Sequence, residues 1–303
     1  MKKQTFILMG IFSLLAIVLV FGFRVPVSQT SPTKPIVVTS FYPLYFLTNE
    51  IVGDRMDVRN ITPSGVEPHD YEPTAMDLRA IEKSSLIVLN GSGLEAWGSR
   101  IPSIIDPTKT KVITLADTVE KKNIGPQPVD PHFWLSPQLA LQMVNTITEA
   151  VVSTDPTNTS YYETNSALLI AELHQLDADF KSGLSTCTQR NFVTSHNAFG
   201  YLSSAYALTQ VPIAGLSPES EPSPKQLMDI AAFVRNHHVD VIFFEQLTSP
   251  KFSETIAQET HARVLVLDPI EGISAQDQKL GKNYFTLMRD NLTNLRIALH
   301  CTP

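Results

Sequence analysis

The sequence predicts an α/β fold: two parallel-sheet α/β lobes joined by a long rigid linker helix, with a metal site in the cleft between the lobes. Three observations predict it. Short β-branched runs alternate with stretches long enough for crossover helices, in two successive sets of four. One segment between the sets, from Pro156 to Leu184, repeats Leu169, Leu173, Leu176 and Phe180 at helical spacing. Finally, His69, His196 and Asp268 follow strands directly or by a short loop, and His132 stands just ahead of a helical pattern. Open α/β sheets keep their ligands at such strand ends.

Taken in order, the chain opens with Lys2 and Lys3 before an apolar run from Phe6 to Phe23, the layout of a secretory signal. The run is also close to the length that spans a bilayer. Residues 1–28 are therefore expected to be a signal peptide or an uncleaved N-terminal membrane anchor. Val25-Pro26-Val27-Ser28 is the nearest cleavage candidate, and no cysteine stands nearby to carry a lipid. Either way the body is exported, to a periplasmic or other extracytoplasmic location. Residues 29–35 read as a linker. The N-terminal lobe, 36–153, takes strands at Ile36–Ser40, Asp57–Thr62, Leu86–Asn90 and Lys111–Leu115. The linker helix, 154–186, starts at Pro156, where the missing N–H costs nothing, and has Gly183 near its end. The C-terminal lobe, 187–303, takes strands at Asn191–Ser195, Val211–Ala214, Asp240–Glu245 and Arg263–Leu267, with Ser223-Pro224 as a helix cap and first helical residue. In an exported chain the pair Cys187 and Cys301 is expected to form a disulfide, contributing on the order of 4 kcal/mol.

With 43% hydrophobic and 17% charged residues, the 303-residue chain has no disordered bias. A net charge of −7 argues against a nucleic-acid binder, which would show a basic face.

Three imidazoles and one carboxylate make a full tetrahedral shell for a divalent transition metal such as zinc. His69 and His132 belong to the first lobe, His196 and Asp268 to the second, so an ion held by all four lies between them. Glu271 is the alternative to Asp268. Glu67 and Asp130, each two residues before a histidine, read as solvent-facing loop charges, with orientation of an imidazole as the other option. Glu245 ends a strand facing the same cleft, as an imidazole acceptor or a helix cap. Glu219 and Glu221 belong to a polar loop. His174 is expected to be solvated, His237 and His238 to sit in a turn, His261 at the amino end of its strand and His300 in the tail. None of these, and neither cysteine, is expected to be a ligand.

At the same residues the chain resembles the metal-binding class of substrate-binding proteins that serve ABC importers for zinc and manganese. The resemblance runs from about Ile36 to the end. It rests on Thr39-Ser40-Phe41-Tyr42-Pro43-Leu44, Glu67-Pro68-His69-Asp70-Tyr71-Glu72-Pro73-Thr74 and Asn90-Gly91-Ser92-Gly93-Leu94-Glu95-Ala96-Trp97. Further on come Asp130-Pro131-His132-Phe133-Trp134, Thr194-Ser195-His196-Asn197-Ala198-Phe199-Gly200-Tyr201 and Leu267-Asp268-Pro269. It implies His69, His132, His196 and Asp268 as ligands, and two lobes joined by a backbone helix. Members similar to manganese importers place glutamate where this chain has His196, and zinc members place histidine. Three nitrogens suit zinc. Zinc members often carry a histidine-rich loop between the first two ligands, but Asp117–Gly125 here holds no histidine.

The resemblance thus implies an extracytoplasmic Zn²⁺-binding protein, expected to be monomeric and without enzymatic activity, that delivers its ion to an ABC importer permease. Manganese or iron is the alternative cargo. A zinc hydrolase would need three protein ligands and an open position for water. Asp268 closes that position, and there is no His-Glu-x-x-His helix and no Gly-x-Ser-x-Gly elbow. If Asp268 pointed away, Glu245 or Glu271 would be free to act as a base. A surface adhesin would suit a membrane anchor, but gives no reason for converging ligands.

Overall fold

Two four-stranded sheets, each wholly parallel, carry the protein, in a computed structural model that describes residues 34–119 and 129–302. The first sheet orders β2-β1-β3-β4 from β1 (Ile36–Thr39), β2 (Asp57–Asn60), β3 (Leu86–Leu89) and β4 (Lys111–Thr114). The second repeats that order as β6-β5-β7-β8, from β5 (Asn191–Thr194), β6 (Thr209–Pro212), β7 (Val241–Phe244) and β8 (Arg263–Val266). The inner strands are those without a polar face: Leu86-Ile87-Val88-Leu89 is buried throughout, as a strand covered on both faces must be. The outer strands alternate or expose their amino ends. The sixth strand begins two residues before its expected start, and its Pro212 is tolerated because β6 is an edge.

The helices follow the strands as crossovers. In the first lobe they are α1 (Tyr42–Val52), α2 (Ala75–Lys83) and α3 (Pro137–Thr154). Then comes α4 (Thr159–Leu184), followed in the second lobe by α5 (Gly200–Ala205), α6 (Pro224–Asn236), α7 (Lys251–Thr260), α8 (Ala275–Lys279) and α9 (Tyr284–Ala298). Ser223 caps α6 through Gln226 with Pro224 in the first turn, as the sequence leads one to expect. The expected helix from Pro156 begins as a 3₁₀ turn at Pro156–Asn158 before α4 proper. Leu169, Leu173, Leu176 and Phe180 of α4 are buried, and the helix packs on α1 and α3 of the first lobe and on α9 of the second.

One apolar core runs through both lobes, joining Phe41, Phe46, Trp134 and Tyr162 to Phe180, Phe199, Tyr284 and Phe285. Two polar ties cross within it: Trp134 donates its indole N–H to the Pro269 carbonyl at 2.7 Å, and Tyr284 its hydroxyl to the Trp134 carbonyl at 2.6 Å. Lobes sharing a continuous core cannot swing apart without exposing it, which favours small, local movements over wide opening. Cys187 and Cys301 are joined, pinning the C-terminal tail to the end of α4.

Among the described residues no helix is long and apolar enough to cross a membrane. The expected signal or anchor at 1–28 and nearly all of the 29–35 linker lie outside those residues, as does Glu120–Gly125 of the histidine-free stretch.

Candidate metal centre

Each lobe sends loops from the carboxyl ends of its strands toward the other. The chain after β2 carries His69, and the segment before the 3₁₀ turn Phe133–Leu135 carries His132. The loop after β5 carries His196, and the loop after β8 carries Asp268 and Glu271. The structure brings His69, His132, His196 and Glu271 together, one donor atom from each lying within 4.8 Å of the others. His132 Nε2 lies 3.3 Å from His69 Nε2 and 3.3 Å from His196 Nε2. Glu271 Oε1 lies 3.2 Å from His69 Nε2, 3.0 Å from His132 Nε2 and 3.5 Å from His196 Nε2. A tetrahedral zinc with bonds of about 2.0–2.1 Å separates its donors by about 3.3 Å. These donors therefore already stand near the corners of such a shell.

Asp268, the expected fourth donor, is not among them. Its Oδ1 accepts the backbone N–H of Ile270 at 2.7 Å, closing a turn in which Ile270 adopts φ +57. A β-branched residue resists that left-handed conformation, so the turn needs such a partner. Asn291 of α9 grips the same residue from behind, accepting the Asp268 N–H and donating to its carbonyl. The reversal at Ile270 then delivers the next residue, Glu271, to the imidazoles.

Three further carboxylates support the cluster. Asp130 Oδ1 accepts both the backbone N–H of His132 at 2.9 Å and its ring Nδ1–H at 2.7 Å. Glu245 Oε1 accepts Nδ1–H of His196 at 2.6 Å and the Ser195 hydroxyl. A proton fixed on Nδ1 leaves Nε2 to face the other donors, which selects the ligand atom. Glu67 Oε1 accepts the His69 backbone N–H at 3.1 Å. Glu67 and Asp130 are thus drawn inward rather than facing solvent, because local N–H groups reward their burial. Among the described residues, Oε2 of Glu67 and Oε2 of Glu245 are buried without a hydrogen-bond partner. That arrangement is costly unless a nearby positive charge compensates it.

The electrostatics fit a site held together by protons until a cation replaces them. Burial works against a charged His132, but Asp130 and Glu271 outweigh it and raise the imidazole above its ordinary value. Burial also opposes charge on His196, and Glu245 with Glu271 holds it well above. Burial would raise Glu271, yet the surrounding imidazoles, His196 foremost, hold it well below the usual carboxylate range. Burial pushes the Asp268 carboxyl up to about 7, against the pull of the Ile270 N–H.

The other histidines stay apart from the cluster. His174 is exposed on α4, His237 stacks on Phe233 at the end of α6, and His261 ends α7 in a left-handed conformation. His238 adopts φ +54 in the turn before β7, and His300 pairs with Asp240 at 3.1 Å in the tail. Glu219 and Glu221 are exposed. The inward role of Glu245 had a legible signal, its place at a strand end facing the cleft; the choice of Glu271 had none short of the turn geometry.

Comparison with known proteins places these features in company. The family model ZnuA, "Zinc-uptake complex component A periplasmic", matches residues 37–298. The high-affinity zinc uptake system protein ZnuA of Bacillus subtilis is 39% identical over 280 residues, covering 87% of each chain. The chain spans 62% of the length of the Streptococcus pyogenes zinc-binding protein AdcA that it matches. Among solved structures, the Zn(II)-bound ZnuA-like domain of Streptococcus pneumoniae AdcA is 34% identical with a TM-score of 0.78, covering 88% of this chain and 99% of that one. The laminin binding protein Lmb of Streptococcus agalactiae, described as a bifunctional protein with adhesin and metal transporting activity, is 35% identical with a TM-score of 0.80, at the same coverage.

Proposed function

Because the chain belongs to the ZnuA family of periplasmic zinc-uptake components, we propose that it captures Zn²⁺ outside the cytoplasm and delivers it to an ABC-type importer. His69, His132, His196 and Glu271 are the ligands in this reading. One observation carries it: three imidazole nitrogens and one carboxylate oxygen, with five of their separations between 3.0 and 3.5 Å, approximate the edges of a tetrahedral zinc shell. The three nitrogens favour zinc over manganese, which prefers an oxygen-rich, higher-coordinate shell.

Glu271 also bears on the hydrolase reading. Asp268 is turned to its own loop, yet the fourth position is filled by Glu271, so no position is left for a catalytic water. The ion is cargo here, bound from both lobes and given up when a permease shifts the loops that hold it. Residues 1–28 would serve export or tethering.

The test is metal content of the purified chain, followed by competitive titration with Zn²⁺ and Mn²⁺. One tightly held zinc per chain, poorly displaced by manganese and weakened in His196→Glu, is the expected outcome. Preference for manganese would overturn the cargo, and no metal uptake would overturn the whole reading. The likeness to Lmb favours one second reading, an adhesive role beside transport, which binding of the chain to immobilised laminin tests.

A further inference from the structure

The four donors are not equally sealed. The side chains of His132 and His196 are fully buried and that of Glu271 is 1% exposed, whereas His69 keeps 9% of its surface. Of the four donors His69 is therefore the nearest to solvent, on the segment that leaves β2. That segment, 63–70, leaves β2 through an exposed turn closed by the Val66 N–H on the Pro63 carbonyl, with Gly65 at φ +78.

The tip of this turn is fastened to the opposite lobe. Ser64 Oγ donates to the Ile273 carbonyl at 2.6 Å, across 209 positions of sequence. The backbone of the opposite loop lies close beneath the turn. Gly272 is buried there, and a Cβ on it would stand 2.9 Å from Leu247 Cδ1, 3.5 Å from the Val66 carbonyl oxygen and 4.0 Å from the Gly65 nitrogen. The His69 loop and the Glu271 loop therefore meet twice, at the donor atoms and again at this rim. Other ties across the lobes lie elsewhere: Trp134 bonds Pro269, Tyr284 bonds the Trp134 carbonyl, and Tyr201 bonds the Asp130 carbonyl at 3.1 Å. None of these three reaches 63–70.

We propose that Ser64 is a positioning residue for His69. Its hydrogen bond to Ile273 latches the two ligand loops and sets the rate at which bound Zn²⁺ leaves. The latch rests on the zinc reading above. Breaking it frees the His69 segment without removing a donor, so release changes while the ligand set does not.

The experiment follows zinc release from the full chain into an excess of chromophoric chelator, for wild type, Ser64→Ala and Ser64→Thr. Ser64→Ala should release zinc about fivefold faster, the equivalent of one net hydrogen bond of about 1 kcal/mol. The preference for zinc over manganese should be unchanged, the metal-free melting temperature should fall by no more than the about 2–4 °C that one such hydrogen bond accounts for, and Ser64→Thr, which keeps the hydroxyl, should restore slow release. Unchanged release in Ser64→Ala overturns the latch, as does a Ser64→Thr variant as fast as Ser64→Ala. A faster release accompanied by a fall in the metal-free melting temperature well beyond about 4 °C overturns it too, since that marks general loosening. Wild type that binds no zinc overturns the zinc reading and the latch together; wild type that binds zinc beside an unchanged variant overturns the latch alone.

Discussion

Replacing Glu271 by glutamine and Asp268 by asparagine, in separate variants, sets the two carboxylates of one loop against each other. Glu271 Oε1 lies 3.0–3.5 Å from three imidazole nitrogens and its side chain is 1% exposed. It is the one anionic donor of the four. A four-donor structural zinc site is worth roughly 10–16 kcal/mol, so an equal share per donor is roughly 3–4 kcal/mol. At 1.4 kcal/mol per tenfold, Glu271→Gln should weaken zinc binding by about 100- to 1,000-fold. Part of that loss is offset, because the same carboxylate helps hold His132 and His196 protonated in the metal-free protein. Asp268→Asn keeps an oxygen to accept the Ile270 N–H, and should cost less than about threefold. Competition against a chelator of known affinity at fixed pH measures both. The reverse pattern, with Asp268→Asn crippled and Glu271→Gln near wild type, would refute the assignment of the fourth donor.

Four further outcomes are expected. Glu245→Gln removes the charge that fixes Nδ1 of His196 and should weaken zinc binding by roughly 10- to 100-fold with the ligand set intact, read from the same competition. Zinc must displace protons from His132 and His196, whose values in the metal-free fold are raised, so affinity should begin to fall above pH 6.5 and keep falling as pH drops. The metal-free fold has the opposite sign: stability from these raised imidazoles is fully present below pH 6.5 and is lost as pH rises through their folded values, which denaturant titrations at several pH values would show. Flat affinity from pH 8 to 6 would contradict both. Reducing Cys187–Cys301, which closes a separation of 114 residues, should lower unfolding stability by about 4–5 kcal/mol, seen as a lower urea midpoint; an unchanged midpoint would mean the tail is held by packing alone.

The two-lobed α/β architecture is legible in local pattern alone, because fully buried parallel strands must be runs such as Leu86-Ile87-Val88-Leu89 and a helix packed on two lobes must show a stripe such as Leu169, Leu173, Leu176 and Phe180. The sequence also singled out His69, His132 and His196, since each stands where a strand or helix pattern breaks, and those breaks are local. Which carboxylate of the loop after β8 stands among the imidazoles was set only in three dimensions. Asp268 is nearer the strand end, but its Oδ1 accepts the Ile270 N–H in the left-handed turn, and that turn, braced by Asn291 from α9, places Glu271 beside the imidazoles. The inward turn of Glu67 and Asp130 was hidden for the same reason: a carboxylate beside a histidine reads as a solvated charge until the N–H groups that receive it are in place. Periodicity records which face of an element is buried. Which of two neighbouring carboxylates reaches an ion depends on one backbone dihedral and on a partner more than twenty residues away, and neither leaves a pattern in the sequence.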